Sequence, residues 1–538
     1  MRLMDDGRYG IEIDHRILRL SDKSMELKVT EDQFCDALKG YKLDESLTVL
    51  GEISRMLIDS KFKENQFWKK ERVGFMVHKL TGQFITEFAI EYIANLFLIS
   101  GSNNYKDLSL KNKDNILGIF NVYHNCLCHV SNNALISIFI PMYLQQLSSQ
   151  RDIKDVLTRQ ILIFDRTSNE CACPDKIDLN KYLIDEIGIS IKEYTTLTFV
   201  ILAAILESPR FNIGNFAGLK KEPLKSTLTN EKMNAVLNLL SATPAELRTI
   251  DQLCNSKLQP ENTKSRYNPL WQKPIVKLGD NDFVVPSIGA YKKGAFTGLY
   301  WFFENRLKIN FRNYFGTLFE EYVGLIVKDI YKLKDIEPGI SFGGKKDSRE
   351  FFDWIVSDNN DYILFETKAY QFPFDVLQTG DIDLVRKQIL KKVVGTIKQM
   401  FERIQDINKY QELNKFNSKK IRCIAVFYDI PFISTSIYDD DIKAALRSMD
   451  LKYPGIKDFK YTLISVEELE DYRYIKDYIS IEEIVTRAKS TPGSGVITEI
   501  NKVFQEKKLD TRINKNLLDK KFHEIFIKDM GLPYKEDD

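Results

Sequence analysis

No apolar run in this sequence approaches the roughly 20 residues that cross a bilayer. The longest are LTFVILAAIL at 197–206 and ALISIFIPMYL at 134–144. The opening stretch, MRLMDDGRYGIEIDHR, carries acidic residues and lacks the apolar centre of a signal peptide. These absences predict a cytoplasmic protein with no membrane partner. Cysteine is scarce, seven residues in 538, which excludes a disulfide framework and fits a reducing compartment. Neither sign of charge prevails, with 77 Lys and Arg against 76 Asp and Glu, so any grip on nucleic acid must come from local basic patches. There is no G-x-x-x-x-G-K-[ST], which excludes a P-loop motor, and neither H-E-x-x-H nor G-x-S-x-G occurs.

What cysteine there is lies close together. His124, Cys126, Cys128 and His129 form HNCLCH, and Cys171 and Cys173 form a second C-x-C. Thiolate and imidazole are the usual zinc ligands. However, ILGIFNVYHNCLCHV has a helical pattern, and residues two apart on a helix point away from each other, so buried free thiols are the expected state.

At this length the chain is expected to divide into more than one domain. After a short strand-like start, residues 30–255 are mostly amphipathic helix, for example FITEFAIEYIANLFLIS at 84–100 and KMNAVLNLLSATPAEL at 232–247. A proline-containing polar stretch at 255–274 resembles a linker. Three segments follow: a mainly helical one over 1–255 for sensing or for binding DNA or a partner, a second over 256–475, and a helical extension over 476–538. The second segment begins with a strand at DFVVPSI and a long helix through GLYWFFENRLKINFRNYFGTLFEEYVGLIVKDIYK. Two strands, a helix over 381–407, a strand at 421–429 and a strand YTLISV complete it. The last strand runs into a helix through a capping box of Ser465 and Glu468, and Ser480 and Glu483 form a second such box. Fold class α/β (α+β) with a mixed central sheet is expected.

The chemistry concentrates in FFDWIVSDNNDYILFETKAY, residues 351–370, where charged side chains interrupt strongly apolar strands. The period of two places Tyr362, Leu364, Glu366 and Lys368 on one face of the second strand. A loop of Asp358, Asn359, Asn360 and Asp361 sets Ser357 opposite Tyr362 and therefore Asp353 opposite Glu366, about 5 Å apart at the Cβ atoms. Two carboxylates so placed repel unless a cation lies between them, and a hard divalent ion such as Mg²⁺ or Mn²⁺ suits their oxygens. The lysine two residues on can orient an attacking water or stabilise charge on a phosphate.

An Asp on one strand and Glu-x-Lys on the next resembles the PD-(D/E)XK nuclease superfamily, the restriction-endonuclease-like fold. Asp353, Glu366 and Lys368 match that pattern, with Phe352 standing where a proline often precedes the aspartate. The resemblance covers residues 310–470 and implies a restriction-endonuclease-like core at 256–475. It implies Mg²⁺ or Mn²⁺ held by Asp353, Glu366, the helix residue Glu320 and a backbone carbonyl at Thr367, with Gln399 pointing into the site from the following helix. On that helix Arg386, Lys387, Lys391, Lys392 and Lys398 precede any further acid and offer a stripe for phosphates.

The resemblance implies phosphodiester hydrolysis, of DNA in preference to RNA, by an effector of bacterial restriction or anti-phage defence, with a partner subunit or a second copy as further partners. Two other readings stay open: a nuclease-fold subunit that binds DNA or protein without cutting, and an RNA or transfer-RNA nuclease. A structural hairpin whose wet face carries an ordinary Asp, Glu and Lys ion pair is the bland alternative.

Overall fold

The computed structural model of the chain describes residues 31–58, 87–103, 108–123, 153–219, 224–256, 266–332, 334–344, 348–358, 361–372, 376, 382–429, 438–490, 495–509 and 517–529, with short strands at 2–3, 9–10, 18–20 and 83–85. In those strands β1 (Arg2–Leu3) pairs with β2 (Tyr9–Gly10), and β3 (Leu18–Leu20) with β4 (Gln83–Ile85).

Around many helices stand two mixed sheets, so the fold is mixed α and β. The smaller has the order β5 (Arg210–Phe211), β8 (Phe283–Val284), β7 (Ile275–Lys277), β6 (Ser241–Ala242). It joins strands from both sides of residue 256. One apolar core likewise runs from Leu157 to Phe526, so residues of all three expected segments pack together.

The larger sheet has the order β13 (Thr462–Ser465), β12 (Lys420–Phe427), β11 (Asp361–Lys368), β10 (Arg349–Asp358), β9 (Asp335–Phe342). β9, β10 and β11 run antiparallel, and β11, β12 and β13 parallel. Alternation along β11 decides its two faces. Ile363 and Phe365 join the core that includes the helical segment Gly298–Ile330, which is two helices meeting at a kink at Lys308 (φ 53°) where one long helix was expected, while Leu364 joins a second core with Val385, Ile389 and Val393 of the helix Ile382–Asp406. Helices therefore cover both faces, and β11 is apolar at its centre, Ile363 to Phe365, with its charged residues toward its ends.

Several expectations needed correction. β9 was not anticipated, because Pro338 and Gly339 break its alternation; as the edge strand of the sheet it tolerates proline. The stretch 232–247 is two helices, Asn230–Leu240 and Pro244–Asn255, divided by β6 and restarted by a capping box of Thr243 and Glu246 with proline at the first turn. The helix expected over 84–100 starts at Glu87, after β4. DFVVPSI contributes only two strand residues before Ser287 caps the helix Ile288–Phe296. The Ser465 and Glu468 capping box forms in full, and Ser480 accepts a hydrogen bond from the Glu483 amide.

Candidate functional site

The hairpin of β10 and β11 has the register read from its turn, with Ser357 opposite Tyr362, and continues through Trp354 opposite Phe365. On its other side β10 bulges. Phe351 pairs with Ile340 and Trp354 with Pro338, leaving Phe352 and Asp353 opposite the single residue Gly339. Phe352 takes φ 51°, a left-handed conformation costly for an aromatic residue, and Gly339 is required there because a Cβ would lie 2.1 Å from the Phe352 carbonyl oxygen. Bulges of this kind re-aim a side chain. Here the re-aimed side chain is Asp353.

Asp353 is buried, and its Oδ2 accepts hydrogen bonds from the Thr367 backbone N–H at 2.5 Å and the Thr367 Oγ1 at 2.6 Å. Glu366 is 1% exposed. Its Oε1 accepts from Lys368 Nζ at 2.5 Å, and its Oε2 is ion-paired with Arg403. The three residues of the expected constellation thus come together where the end of β11 passes the bulge in the middle of β10. Arg403 is a fourth member that sequence reasoning missed. It lies one turn beyond Gln399 on the helix Ile382–Asp406, a spacing that puts the two on one face and offered the only local clue. Gln399 itself is half-buried, and among the described residues no hydrogen bond ties it to the triad.

Glu320 approaches from the helix Gly298–Ile330, half-buried, while its backbone carbonyl accepts a hydrogen bond from Trp354 Nε1 at 2.9 Å. Burial, followed by repulsion from Asp353, Glu350, Glu321 and Glu366, pushes its carboxyl up to about 8. Burial and Asp353 push Glu366 up to about 7 despite its two cationic partners. Glu350 on β10 is raised by burial and by Asp353. Five interacting carboxyl groups, Glu320, Glu321, Glu350, Asp353 and Glu366, against the two cations of Lys368 and Arg403 leave the cluster short of positive charge. The donor set therefore fits a hard divalent cation in its chemistry. Among the described residues no three carboxyl, imidazole or thiol groups converge on one ion position, so the fit is of charge and donor type.

The expected basic stripe is split by its neighbours. Arg386 forks onto Asp441, and Lys398 pairs with Glu402 at 3.5 Å and lies 4.9 Å from the centre of the Tyr453 ring. Lys387 is exposed. Lys391 instead lines a cleft of about 550 Å³ together with Lys368, Lys392 and Arg312. Partial desolvation of the largely exposed Lys392, then crowding by Lys391, Lys368 and Arg312, lowers its ammonium from the usual lysine range.

Cys126 and Cys128 lie outside the described residues. Cys171 and Cys173 are free and half-buried, and burial followed by the Cys171 thiol raises the Cys173 thiol. Among the described residues no single helix is long and apolar enough to cross a membrane. No family model, curated protein or solved structure matches this chain.

Proposed function

We propose that the chain is a metal-dependent endonuclease with a restriction-endonuclease-like core, hydrolysing phosphodiester bonds of DNA in preference to RNA, as a cytoplasmic effector of bacterial restriction or anti-phage defence. The observation that carries this reading is the meeting of Asp353, at the bulge of β10, with Glu366 and Lys368, at the end of β11, beside a cleft lined by further cations. The order of parts supports it: a helix with Glu320, the Asp strand, the Glu-x-Lys strand, the helix with Gln399 and then a parallel strand.

Asp353, Glu366, Glu320 and the Thr367 carbonyl would hold Mg²⁺ or Mn²⁺, which polarises the phosphate and lowers the pKa of a water. Thr367 fixes the Asp353 carboxylate through two hydrogen bonds. The Lys368 ammonium, held by Glu366, orients the water and meets charge developing on the phosphate oxygens. Lys391, Lys392 and Arg312 hold flanking phosphates. Attack forms the bond from water oxygen to phosphorus and breaks the bond to the 3′ oxygen, leaving 5′-phosphate and 3′-hydroxyl ends.

The test is cleavage of supercoiled plasmid, linear duplex and total RNA with Mg²⁺ or Mn²⁺ by the full chain and by Lys368→Ala. Metal-dependent cutting that falls at least about 100-fold in the variant is expected. A second reading, a nuclease-fold binding subunit, is favoured by one observation: Lys368 and Arg403 already balance Glu366. Full biological effect from Lys368→Ala would establish that reading instead.

A further inference from the structure

Resting on the nuclease reading, we propose that the strand entering the site is single-stranded nucleic acid, its bases stacked on Trp301 and Tyr370 and its phosphates on Lys391, Lys392 and Arg312, rather than an intact duplex. The cleft of about 550 Å³ that contains Lys368 carries both kinds of group. Its size lies within the range of about 300–1,000 Å³ typical of sites for small organic molecules, so it admits nucleotides one at a time. A double helix, several times wider, can only lie across its mouth.

Tyr370 follows Lys368 by two residues, and its backbone N–H donates to the Lys368 carbonyl at 2.7 Å. Lys392 lies 4.8 Å from the centre of the Tyr370 ring, and the Tyr370 hydroxyl donates to Gln388 Oε1 at 3.4 Å. Trp301 meets Tyr300 edge-on at 5.3 Å between ring centres. Trp301 and Tyr370 are both partly exposed. Among the described residues the only acidic side chain lining the cleft is Glu304, and it is ion-paired with Arg312. An aromatic and cationic lining next to the reacting groups matches a single strand, because in a duplex the base faces are already stacked on one another and only base edges and phosphates are presented. Phosphate contacts alone would need no rings there.

DNA and RNA single strands share this chemistry, so the experiment carries both. The full chain with Lys368→Ala, in the absence of added metal, is titrated into one fluorescein-labelled oligonucleotide sequence as single-stranded DNA, as single-stranded RNA and as duplex DNA. At least one single strand is expected to bind about tenfold tighter than the duplex or better. Tyr370→Leu and Lys392→Gln should each weaken that strand by about tenfold and the duplex by less, while Lys392→Arg retains single-strand binding. Lys392 is exposed, so its two variants decide the matter even where Tyr370→Leu lowers the melting temperature.

Equal affinity for duplex and single strand overturns the proposal, as does unchanged single-strand binding by Lys392→Gln. Duplex cutting by the wild-type chain at the single-strand rate, lost in Lys368→Ala, overturns it too while leaving the nuclease reading intact. Single-strand binding that depends on Tyr370 and Lys392, with no cutting of any substrate, supports the cleft's preference and removes the nuclease reading.

Discussion

At the scale of single residues, the site carries more negative charge than its own cations balance, and pH dependence should expose this. Glu320 at about 8 and Glu366 at about 7 lie above the 4.5 of an unperturbed glutamate. A carboxyl whose pKa is raised by folding contributes its full stability below about 4.5 and loses it as pH rises through 7 to 8. A divalent cation binds the ionised form, so Mg²⁺ or Mn²⁺ is expected to raise the melting temperature more at about pH 8 than at about pH 6. Equal shifts, or none beyond a sodium chloride control of matched ionic strength, would argue against an ion at these carboxylates. Arg403 supplies the complementary prediction. Arg403→Met removes one of two partners of an almost fully buried carboxylate and should cost about 3 kcal/mol in the metal-free protein. Added Mg²⁺ should restore more of the melting temperature in this variant than in the wild type, which a purely structural pair would not permit.

At the scale of elements, the bulge of β10 sets where Asp353 points, and Gly339 on β9 permits the bulge. Gly339→Ala is expected to destabilise the chain by about 1–3 kcal/mol and to depress cleavage further than the stability loss explains. Gly344→Ala, where a Cβ meets nothing within 4 Å, is the control and should match wild type in thermal denaturation and in rate. The hairpin was legible in the sequence because turn residues and a period of two fix register locally. The same locality explains what was not legible. β9 gains its strand state from pairing with β10 in spite of Pro338, and the bulge arises from that pairing. Arg403 meets Glu366 across 37 residues of chain, and Asp441 claims Arg386 across 55. Partners of that kind are set by tertiary packing, which a helix read alone does not reveal.

At the scale of the molecule, the helical first half is built into the body that carries the site. Arg159, on the helix Ile153–Ile161, forks onto Glu470 at 2.8 and 2.7 Å and reaches Glu467 at 2.9 Å, both on the helix Val466–Tyr472 that follows β13. Tyr322, two residues past Glu320 on its helix, donates to the same Glu470 at 2.7 Å. Glu470 is fully buried, so loss of Arg159 takes a forked guanidinium from a carboxylate in the interior. Arg159→Ala is expected to destabilise the whole chain by about 3–5 kcal/mol, measured by denaturant unfolding. A fragment of residues 256–538 would lose that guanidinium, the strands β5 and β6 and the apolar side chains of residues 157–240 from the shared core. It should therefore be insoluble or lack a cooperative unfolding transition. If instead the fragment unfolds cooperatively and cuts nucleic acid at the rate of the full chain, the first 255 residues form a separable domain. The single transition expected for the intact chain has a functional consequence: an event that shifts Arg159 in the helical half is felt at Glu470, which is one hydrogen bond from Tyr322, itself two residues from Glu320.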